Sequence, residues 1–356
     1  MKPEWKRFLS DNGAEFDAND DVVASHGNPE RELRMSVNGD VFYDLSHLGL
    51  IEVYGDDARA FLQSQTTNNL NQVTPERSQL GAYCSAKGRV FALFRLLQRG
   101  ETFYLSLPRD TLESTLKKLQ MFVLRSKVTL ADADDALVRM GLSGPRAEEE
   151  LTEALGGCPQ NVDDTLPLNG YTCVRVAGAM PRFEIFGELE PMQQLWHKLN
   201  VRCAPVGLEA CMLLDVLAAV PMVNSASQEA FVPQMLNLHL VNGISFTKGC
   251  YPGQEIVART QYLGQLKRRM YRVQFAASAP PVGTELFSPA DSLGQAVGRI
   301  VNSARHPDGG SEALAVLQVN VVEQSAVIHL GAADGPEGSV STPPYGFGRV
   351  ENADNN

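Results

Sequence analysis

Hydrophobic and polar positions in the first third of the chain follow two periodicities, which predict both helices and strands. Leu112, Leu116, Leu119 and Val123 recur at helical spacing, and two aspartates open a second helical segment at the positive end of its dipole. The two helices are predicted at 110–122 and 56–65, and four strands at 48–55, 79–85, 90–97 and 102–107. This part of the chain is therefore predicted to mix strands and helices.

A second cycle of elements begins after Lys127 in the order strand, helix, strand, strand, helix, strand. Its segments are predicted at 136–144, 147–157, 171–178, 182–187, 191–200 and 202–207. This order is the ferredoxin-like pattern, in which helices cover one face of a mainly antiparallel sheet. A buried helix with little polar surface is predicted next, over 207–221. The predicted fold class is therefore α+β.

The pattern changes at Arg269, after which short β segments are separated by Gly and Pro. They are predicted at 270–275, 283–287, 295–303, 312–319 and 325–330. Such spacing favours a small β-barrel or sandwich. The first forty residues are rich in Asp, Asn and Gly and are expected to be only partly ordered, and the chain after Gly331 is expected to be surface-draped or mobile.

At 356 residues the chain exceeds the usual size of one domain, so two or three domains are expected. The predicted division is an N-terminal segment over 1–40, an α+β domain over 41–130, a second α+β domain over 131–262, a β-barrel over 263–335 and a tail over 336–356. Each of the three domains is long enough to bury its own core.

The charge balance restricts the partners of the protein. Lys and Arg number 31 against 42 Asp and Glu, a net charge of −11, which argues against broad electrostatic binding to nucleic acid or to anionic membranes. There is one local basic run, formed by Lys267, Arg268, Arg269 and Arg272. It could bind an anionic ligand or a nucleic acid. The alternative is that its charge protects the edge of a strand from pairing with other chains. With no hydrophobic N-terminal run and no stretch that spans a bilayer, we expect a cytoplasmic protein without membrane contact.

The cysteines and histidines show no spacing typical of a metal site. The six cysteines, at 84, 158, 173, 203, 211 and 250, form no CxxC pair, and the six histidines form no HxH or HExxH pattern. Widely spaced cysteines are typical of reduced thiols, so no metal ligands are predicted. The P-loop and GxGxxG patterns are absent as well, which disfavours a nucleotide cofactor.

The densest candidate site is the run FTKGCYPGQEIVART, residues 246–260. Cys250 stands between Gly249 and Gly253, which permit backbone conformations closed to other residues. Lys248 lies two positions earlier, and its charge, if folded toward the sulfur, would favour the reactive thiolate. The alternative is that Cys250 is a small buried hydrophobe in a tight turn. The segment EIVART that follows fits either a short strand or a helical turn.

Through KGCYPGQE, residues 248–255, the chain resembles the YgfZ family of folate-binding proteins, whose signature is KGCYxGQE. That family is related to the aminomethyltransferase of the glycine cleavage system, the T-protein, and similarity to this superfamily also appears over 42–70 and 81–97. The resemblance implies a ring of three domains around an opening that receives tetrahydrofolate, with a β-barrel as the last domain. It also implies a role in maintaining iron-sulfur enzymes, including those that methylthiolate transfer RNA.

Carried over residue by residue, the resemblance makes Cys250 the functional thiol and Lys248 its neighbour. Tyr83 and Glu184 match positions at which the T-protein contacts folate. The other residues of the signature that we assign to the folate site are Gly249, Tyr251, Gly253, Gln254 and Glu255.

Two departures from the T-protein pattern bear on the reaction. The T-protein carries an aspartate pair where this chain has Phe91 and Ala92, so aminomethyl transfer is not expected. Leu217 also replaces an acid, which removes polarity from the expected pocket. The leading hypothesis is a tetrahydrofolate-binding accessory protein that uses Cys250 to support iron-sulfur enzymes or cluster-assembly proteins. The alternatives are a folate-dependent one-carbon transferase and a transfer-RNA-binding modification factor, although direct nucleic-acid binding is not expected.

Overall fold

A computed structural model describes residues 1–19, 22–168, 170–262, 266–291 and 293–347. The described residues form two helix-covered sheets and a barrel, with an ordered N-terminal segment packed against them. Within these ranges no helix has the length and apolar character that crossing a membrane requires.

The N-terminal segment, expected to be only partly ordered, instead forms regular structure. Its elements are α1 (Pro3–Asp11), β1 (Glu15–Phe16), β2 (Val23–Ser25) and α2 (Pro29–Asn38). Trp5 is buried at 1% exposure, and its indole Nε1 donates a hydrogen bond of 2.8 Å to Asp44. Asn28 caps α2 by accepting from the backbone N–H of Arg31. Polar residues that suggested disorder therefore act as caps and hydrogen-bond partners.

The next part of the chain builds a five-stranded sheet in the order β5-β6-β7-β4-β8. The elements from this stretch are β3 (Val41–Asp44), β4 (Leu48–Tyr54), α3 (Ala58–Gln65), β5 (Gln79–Cys84), β6 (Val90–Arg99), β7 (Thr102–Pro108), α4 (Arg109–Gln120) and β8 (Thr129–Asp132). Four of these strands, β4, β6, β7 and β8, are arranged in the ferredoxin-like order, and β5 extends the sheet at the edge next to β6. Apolar residues of α3 and α4, such as Phe61 and Leu112, pack on one face of it.

A second, six-stranded sheet has the order β10-β11-β12-β9-β3-β13. It contains β9 (Val138–Ser143), α5 (Ala147–Leu155), β10 (Thr165–Leu168), β11 (Tyr171–Val176), β12 (Arg182–Gly187), α6 (Leu189–Leu199) and β13 (Ala204–Val206). This is the predicted ferredoxin-like pattern with β3 inserted between β9 and β13. Strand β3 lies in the predicted 41–130 domain but pairs within this second sheet.

The remaining elements include the connecting helices, the strands of a barrel and three short 3-10 helices. They are α7 (Leu208–Leu217), α8 (Gln254–Tyr262), β14 (Arg268–Phe275), β15 (Glu285–Phe287), β16 (Gly298–Arg305), β17 (Ser311–Gln318), α9 (Val319–Glu323), β18 (Ile328–Leu330) and β19 (Glu337–Ser341), with single-turn 3-10 helices at Leu70–Gln72, Ser225–Ser227 and Pro233–Leu236. A core shared by α7, β6 and the barrel includes Val90, Leu213 and Val301. The two sheets and the barrel are thus joined through α7.

The strands from β14 to β19 close into the predicted C-terminal barrel, in the order β14-β17-β16-β15-β18-β19. Residues after Gly331 were expected to be surface-draped or mobile, and the second alternative is wrong for β19, which pairs with both β14 and β18 while its side chains lie at the surface. Its sequence, EGSVS, contains one apolar side chain and therefore gives little strand signal. Gly338 is required there, because a Cβ atom would lie 2.5 Å from the ring of Phe275. Closure of the barrel thus depends on a strand with a weak local pattern.

Candidate functional site: a carboxylate cleft and an exposed thiol

A narrow cleft of about 80 Å³ lies where β6, β7, β12 and the segment after α7 meet. We call it the Glu184 cleft. Its polar lining residues are His47, Arg95, Ser106, Arg182, Glu184 and Asp215. Arg182 and Glu184 occupy alternate positions of β12, while Phe183 and Ile185 point into the core on the other face. Strand alternation therefore delivers both charged side chains to the cleft.

Two arginines of the cleft are already engaged by carboxylates. Arg182 lies 2.7 Å from Asp215 and donates a second hydrogen bond of 2.7 Å to the Tyr43 hydroxyl. Arg95 donates at 2.7 Å to Asp163, and both of these side chains are only 7% exposed. Each guanidinium thus has a close carboxylate partner, as a buried charge requires.

Glu184 is the cleft carboxylate that lacks such a partner. Its Oε2 atom is buried and accepts no hydrogen bond from any described residue, and the Nε atom of Arg95 is 3.8 Å away. Burial raises the pKa of the Glu184 carboxyl, although the positive charges of Arg95 and Arg182 oppose this shift. The hydroxyl of Ser106, also in the cleft, is likewise buried without a partner in the described structure. These atoms are available to a ligand that carries N–H donors.

Tyr83 does not lie in the Glu184 cleft. Leu80 on β5 lines the cleft, whereas Tyr83, three positions later, faces the opposite side of the strand. There it is 4% exposed and packs edge-on against Phe91, with 6.1 Å between ring centroids. The structure therefore does not bring Tyr83 and Glu184 together.

The positions at which the resemblance places an aspartate pair are apolar and buried. Phe91 is 7% exposed and Ala92 is fully buried. The Lys118 ammonium lies 3.8 Å from the centre of the Phe91 ring and makes a cation–π contact with it. No carboxylate from β6 is present here to assist proton transfer.

The Cys250 loop, residues 248–253, presents an exposed thiol. Among the six cysteines, all within described ranges, Cys250 is exposed, Cys158 is half-buried and the other four are buried. The interpretation of Cys250 as a buried hydrophobe is therefore wrong. Gly253 fixes the loop against the β5–β6 turn: its φ is +79°, and a Cβ there would lie 2.5 Å from the carbonyl oxygen of Ser85.

Lys248 holds the same loop from its other end. It is 7% exposed, and its ammonium donates hydrogen bonds of 2.5 Å to the carbonyl oxygens of Gln63 and Thr66 at the end of α3. The ammonium also lies 5.1 Å from the centre of the Tyr251 ring. Burial lowers the pKa of Lys248 to about 8. No hydrogen bond in the described residues joins Lys248 to the Cys250 thiol, so the contacts assign it to anchoring.

The other signature residues lie outside the Glu184 cleft. Tyr251 is buried, Gln254 and Glu255 begin α8, and a Cβ added to Gly249 would meet no atom within 4 Å. The segment EIVART is helical, which decides between the two predicted alternatives. The cleft and the Cys250 loop thus share no lining residue.

Sequence reasoning missed the cleft residues Arg95, Arg182 and Asp215. Asp215 gave a signal, because it is a lone charged residue in the apolar second half of α7. Leu217, two positions later, packs against the core and does not line the cleft, whereas Asp215 does. Arg182 and Glu184 were also separated by one residue on a predicted strand, which places two charges on one face.

Comparison with known proteins defines the class of the molecule. The family model described as the GCVT N-terminal domain matches residues 15–241. The glycine cleavage system aminomethyltransferase T from Bartonella henselae superimposes with a TM-score of 0.73 at 17% identity, over 97% of this chain and 98% of that one. The chain therefore has the T-protein fold, and the predicted α+β class with a C-terminal barrel is confirmed.

Two relatives with higher sequence identity identify the family within this fold class. The tRNA-modifying protein YgfZ of Colwellia psychrerythraea is 34% identical over 228 residues, which cover 64% of this chain and 69% of that protein. The tRNA-modifying protein YgfZ of Yersinia pseudotuberculosis is 30% identical over 308 residues, 86% of this chain and 92% of the relative. The chain belongs to the YgfZ family, as its KGCYPGQE signature predicted.

Proposed function

We propose that this protein binds tetrahydrofolate or a derivative at Glu184 and supports the modification of transfer RNA in the cytoplasm. The Oε2 atom of Glu184, which is buried and accepts no hydrogen bond from any described residue, carries the proposal. The pterin ring presents an amino group and a ring N–H side by side, and a carboxylate accepts such a pair of donors. The match to the GCVT N-terminal domain supports a folate-type ligand. The relatives named tRNA-modifying protein YgfZ support the role in tRNA modification.

The size of the cleft bears on how a folate would enter. Its volume of about 80 Å³ is well below the roughly 300 Å³ at which small-molecule pockets begin. We therefore expect only the ring edge to reach Glu184 unless side chains move. Leu48 and Met222 line the cleft and are half-buried, so they are free to turn aside.

We further propose that Cys250 acts on a partner protein. Its thiol is exposed, and no residue of its loop lines the Glu184 cleft. A single sulfur cannot hold an iron-sulfur cluster alone, so iron-sulfur enzymes or cluster-assembly proteins would supply the remaining ligands. A redox exchange at the exposed thiol is also compatible with this geometry, whereas one-carbon acceptance from the bound folate would require the thiol and the Glu184 cleft to meet. The folate would then regulate or stabilise the protein from a separate site.

Titration of tetrahydrofolate into the purified protein under anaerobic conditions tests the folate site. Glu184→Gln should weaken binding by about tenfold or more, because a charge-assisted pair of hydrogen bonds is lost. Glu190→Gln, an exposed carboxylate on α6, is the matched control and should bind like the wild type. Equal affinity of Glu184→Gln and the wild type would contradict this site.

A further inference from the structure

A second cleft, of about 1260 Å³, lies between the end of α8, the start of β14 and α9. It shares no lining residue with the Glu184 cleft. Its volume exceeds the roughly 1000 Å³ upper range of pockets for single small molecules. The size therefore suits a ligand larger than one small molecule. We call it the Lys267 cleft.

The cations of the Lys267 cleft are largely free of acidic partners. Lys267 and Arg268 are exposed and make no ion pair or side-chain hydrogen bond with any described residue. The Arg269 guanidinium lies 5.1 Å from the centre of the Phe347 ring, and no carboxylate of the described residues forms an ion pair with it. Glu323 contributes a single carboxylate to the lining, so positive charge predominates.

Arg272, the fourth basic residue of the run, differs from these three. It lies 3.3 Å from Glu312 on the neighbouring strand and does not line the cleft. Lys267, Arg268 and Arg269 do not protect a free strand edge, because β14 belongs to a closed barrel and pairs with both β17 and β19. The three cations instead converge on a cavity.

Two residues that line the Lys267 cleft also carry buried acceptor atoms without a hydrogen-bond partner among the described residues. Gln234 is 1% exposed, and its Oε1 atom accepts no hydrogen bond in the described structure. The Nδ1 atom of His239 is also buried and forms no hydrogen bond with any described residue. Burial and the charge of Arg269 lower the pKa of His239 to about 4, so its ring is neutral near pH 7. Unsatisfied buried acceptors of this kind favour a ligand that brings donors.

We propose that the Lys267 cleft binds a single-stranded segment of RNA. Phosphates would lie against Lys267, Arg268 and Arg269, and ribose hydroxyls or base N–H groups would donate to Gln234 and His239. RNA supplies such a donor at every 2′ position, which DNA lacks. A free mononucleotide would leave most of the volume empty.

The position of the Lys267 cleft relates it to the Cys250 loop. Thr260 and Gln261, near the end of α8, line the cleft, and α8 begins at Gln254, just after the loop. A helix of nine residues is roughly 13 Å long. RNA in the cleft would thus be held about one helix length from the thiol, where a partner enzyme also acts. This proposal stands apart from the folate site.

Fluorescence anisotropy with a labelled single-stranded RNA and a DNA of the same sequence tests the proposal. At about 50 mM salt the wild type should bind RNA several-fold more tightly than DNA, and affinity should fall steeply with salt. The double variant Lys267→Gln/Arg268→Gln should weaken RNA binding by about tenfold and reduce the slope of log affinity against log salt by about 1.4, or 0.7 per lost phosphate contact. Both residues are exposed, so folding should be preserved.

The matched control is Lys117→Gln/Arg125→Gln, which removes the same charge from the surface at and beyond the end of α4 and should bind RNA like the wild type. Equal loss in both double variants, equal affinity for RNA and DNA, or no RNA binding by the wild type at low salt would each overturn the proposal. Tetrahydrofolate binding by Lys267→Gln/Arg268→Gln should be unchanged, which separates this result from the folate proposal.

Discussion

Gly253 and Gly88 pack backbone against backbone where the Cys250 loop meets the β5–β6 turn. A Cβ atom at Gly253 would lie 2.6 Å from the Cα atom of Gly88, and the φ angle of Gly253 is +79°. Both constraints involve main chain, which cannot turn aside as a flexible side chain does. The exposed position of the Cys250 thiol therefore depends on a contact that only glycine permits.

Gly253→Ala should destabilise the protein by about 1–3 kcal/mol, because alanine is strained at positive φ and its methyl group meets backbone atoms. Urea unfolding measures this change. Gly249→Ala is the control within the same loop, since its Cβ would meet no atom within 4 Å, and it should stay within about 0.5 kcal/mol of the wild type. Equal stability of the two variants would show that the packing does not constrain the loop.

Local periodicity predicted most elements of the fold. Helix α4 was predicted at 110–122 and spans Arg109–Gln120, and β5 was predicted at 79–85 and spans Gln79–Cys84. The membership of β3 in the second sheet was not predictable, because it depends on pairing with β9 about a hundred residues later in the chain. Strand β19 was missed because its sequence lacks apolar alternation.

Some features of the candidate site were predictable from the sequence and others were not. The signature identified the Cys250 loop, but the acceptors of Lys248 lie on α3, far away in sequence, and were not predictable. The resemblance selected Glu184, yet the absence of a hydrogen bond to its Oε2 atom among the described residues depends on tertiary packing, in which Asp163 and Asp215 engage the two neighbouring arginines more closely. Partners set by tertiary packing leave no local pattern in the chain.

Replacement of Lys248 should expose its anchoring role. Lys248→Met removes the donor to the carbonyl oxygens of Gln63 and Thr66, and the unfolding free energy should fall by about 1–3 kcal/mol at neutral pH. Thermal or urea unfolding gives this value. The exposed Lys87→Met in the neighbouring turn is the control and should change stability little.

The pH dependence of stability provides a second measurement on Lys248. Burial lowers its pKa from 10.5 in the unfolded chain to about 8 in the folded protein. Between these values the unfolded state binds more protons, so the stability of the wild type should rise with pH relative to Lys248→Met. Below about pH 8 both states are protonated, and the difference between the two proteins should be constant. Parallel stability curves from pH 8 to 10.5 would contradict the shift.

Tyr83→Phe should leave tetrahydrofolate binding unchanged. Tyr83 packs against Phe91 in the core of the first sheet and faces away from the Glu184 cleft. Calorimetric titration of the variant beside Glu184→Gln separates the two positions that the resemblance assigned to folate. A loss of affinity in Tyr83→Phe as large as in Glu184→Gln would place the folate in a different part of the molecule.

Cys250→Ala should abolish support of transfer-RNA methylthiolation in cells that lack the native protein, while tetrahydrofolate binding and stability stay near those of the wild type. Stability should be unchanged because the thiol is exposed, so that its removal leaves no cavity. Folate binding should be unchanged because Cys250 does not line the Glu184 cleft. Methylthiolated nucleosides in hydrolysed transfer RNA are the readout, and purified protein gives the binding constant.

Cys158→Ala, which removes the half-buried thiol, is the matched control and should retain support. Full support by Cys250→Ala would show that the thiol does not carry the function, whereas loss of folate binding in the same variant would mean that the loop and the cleft act as one site.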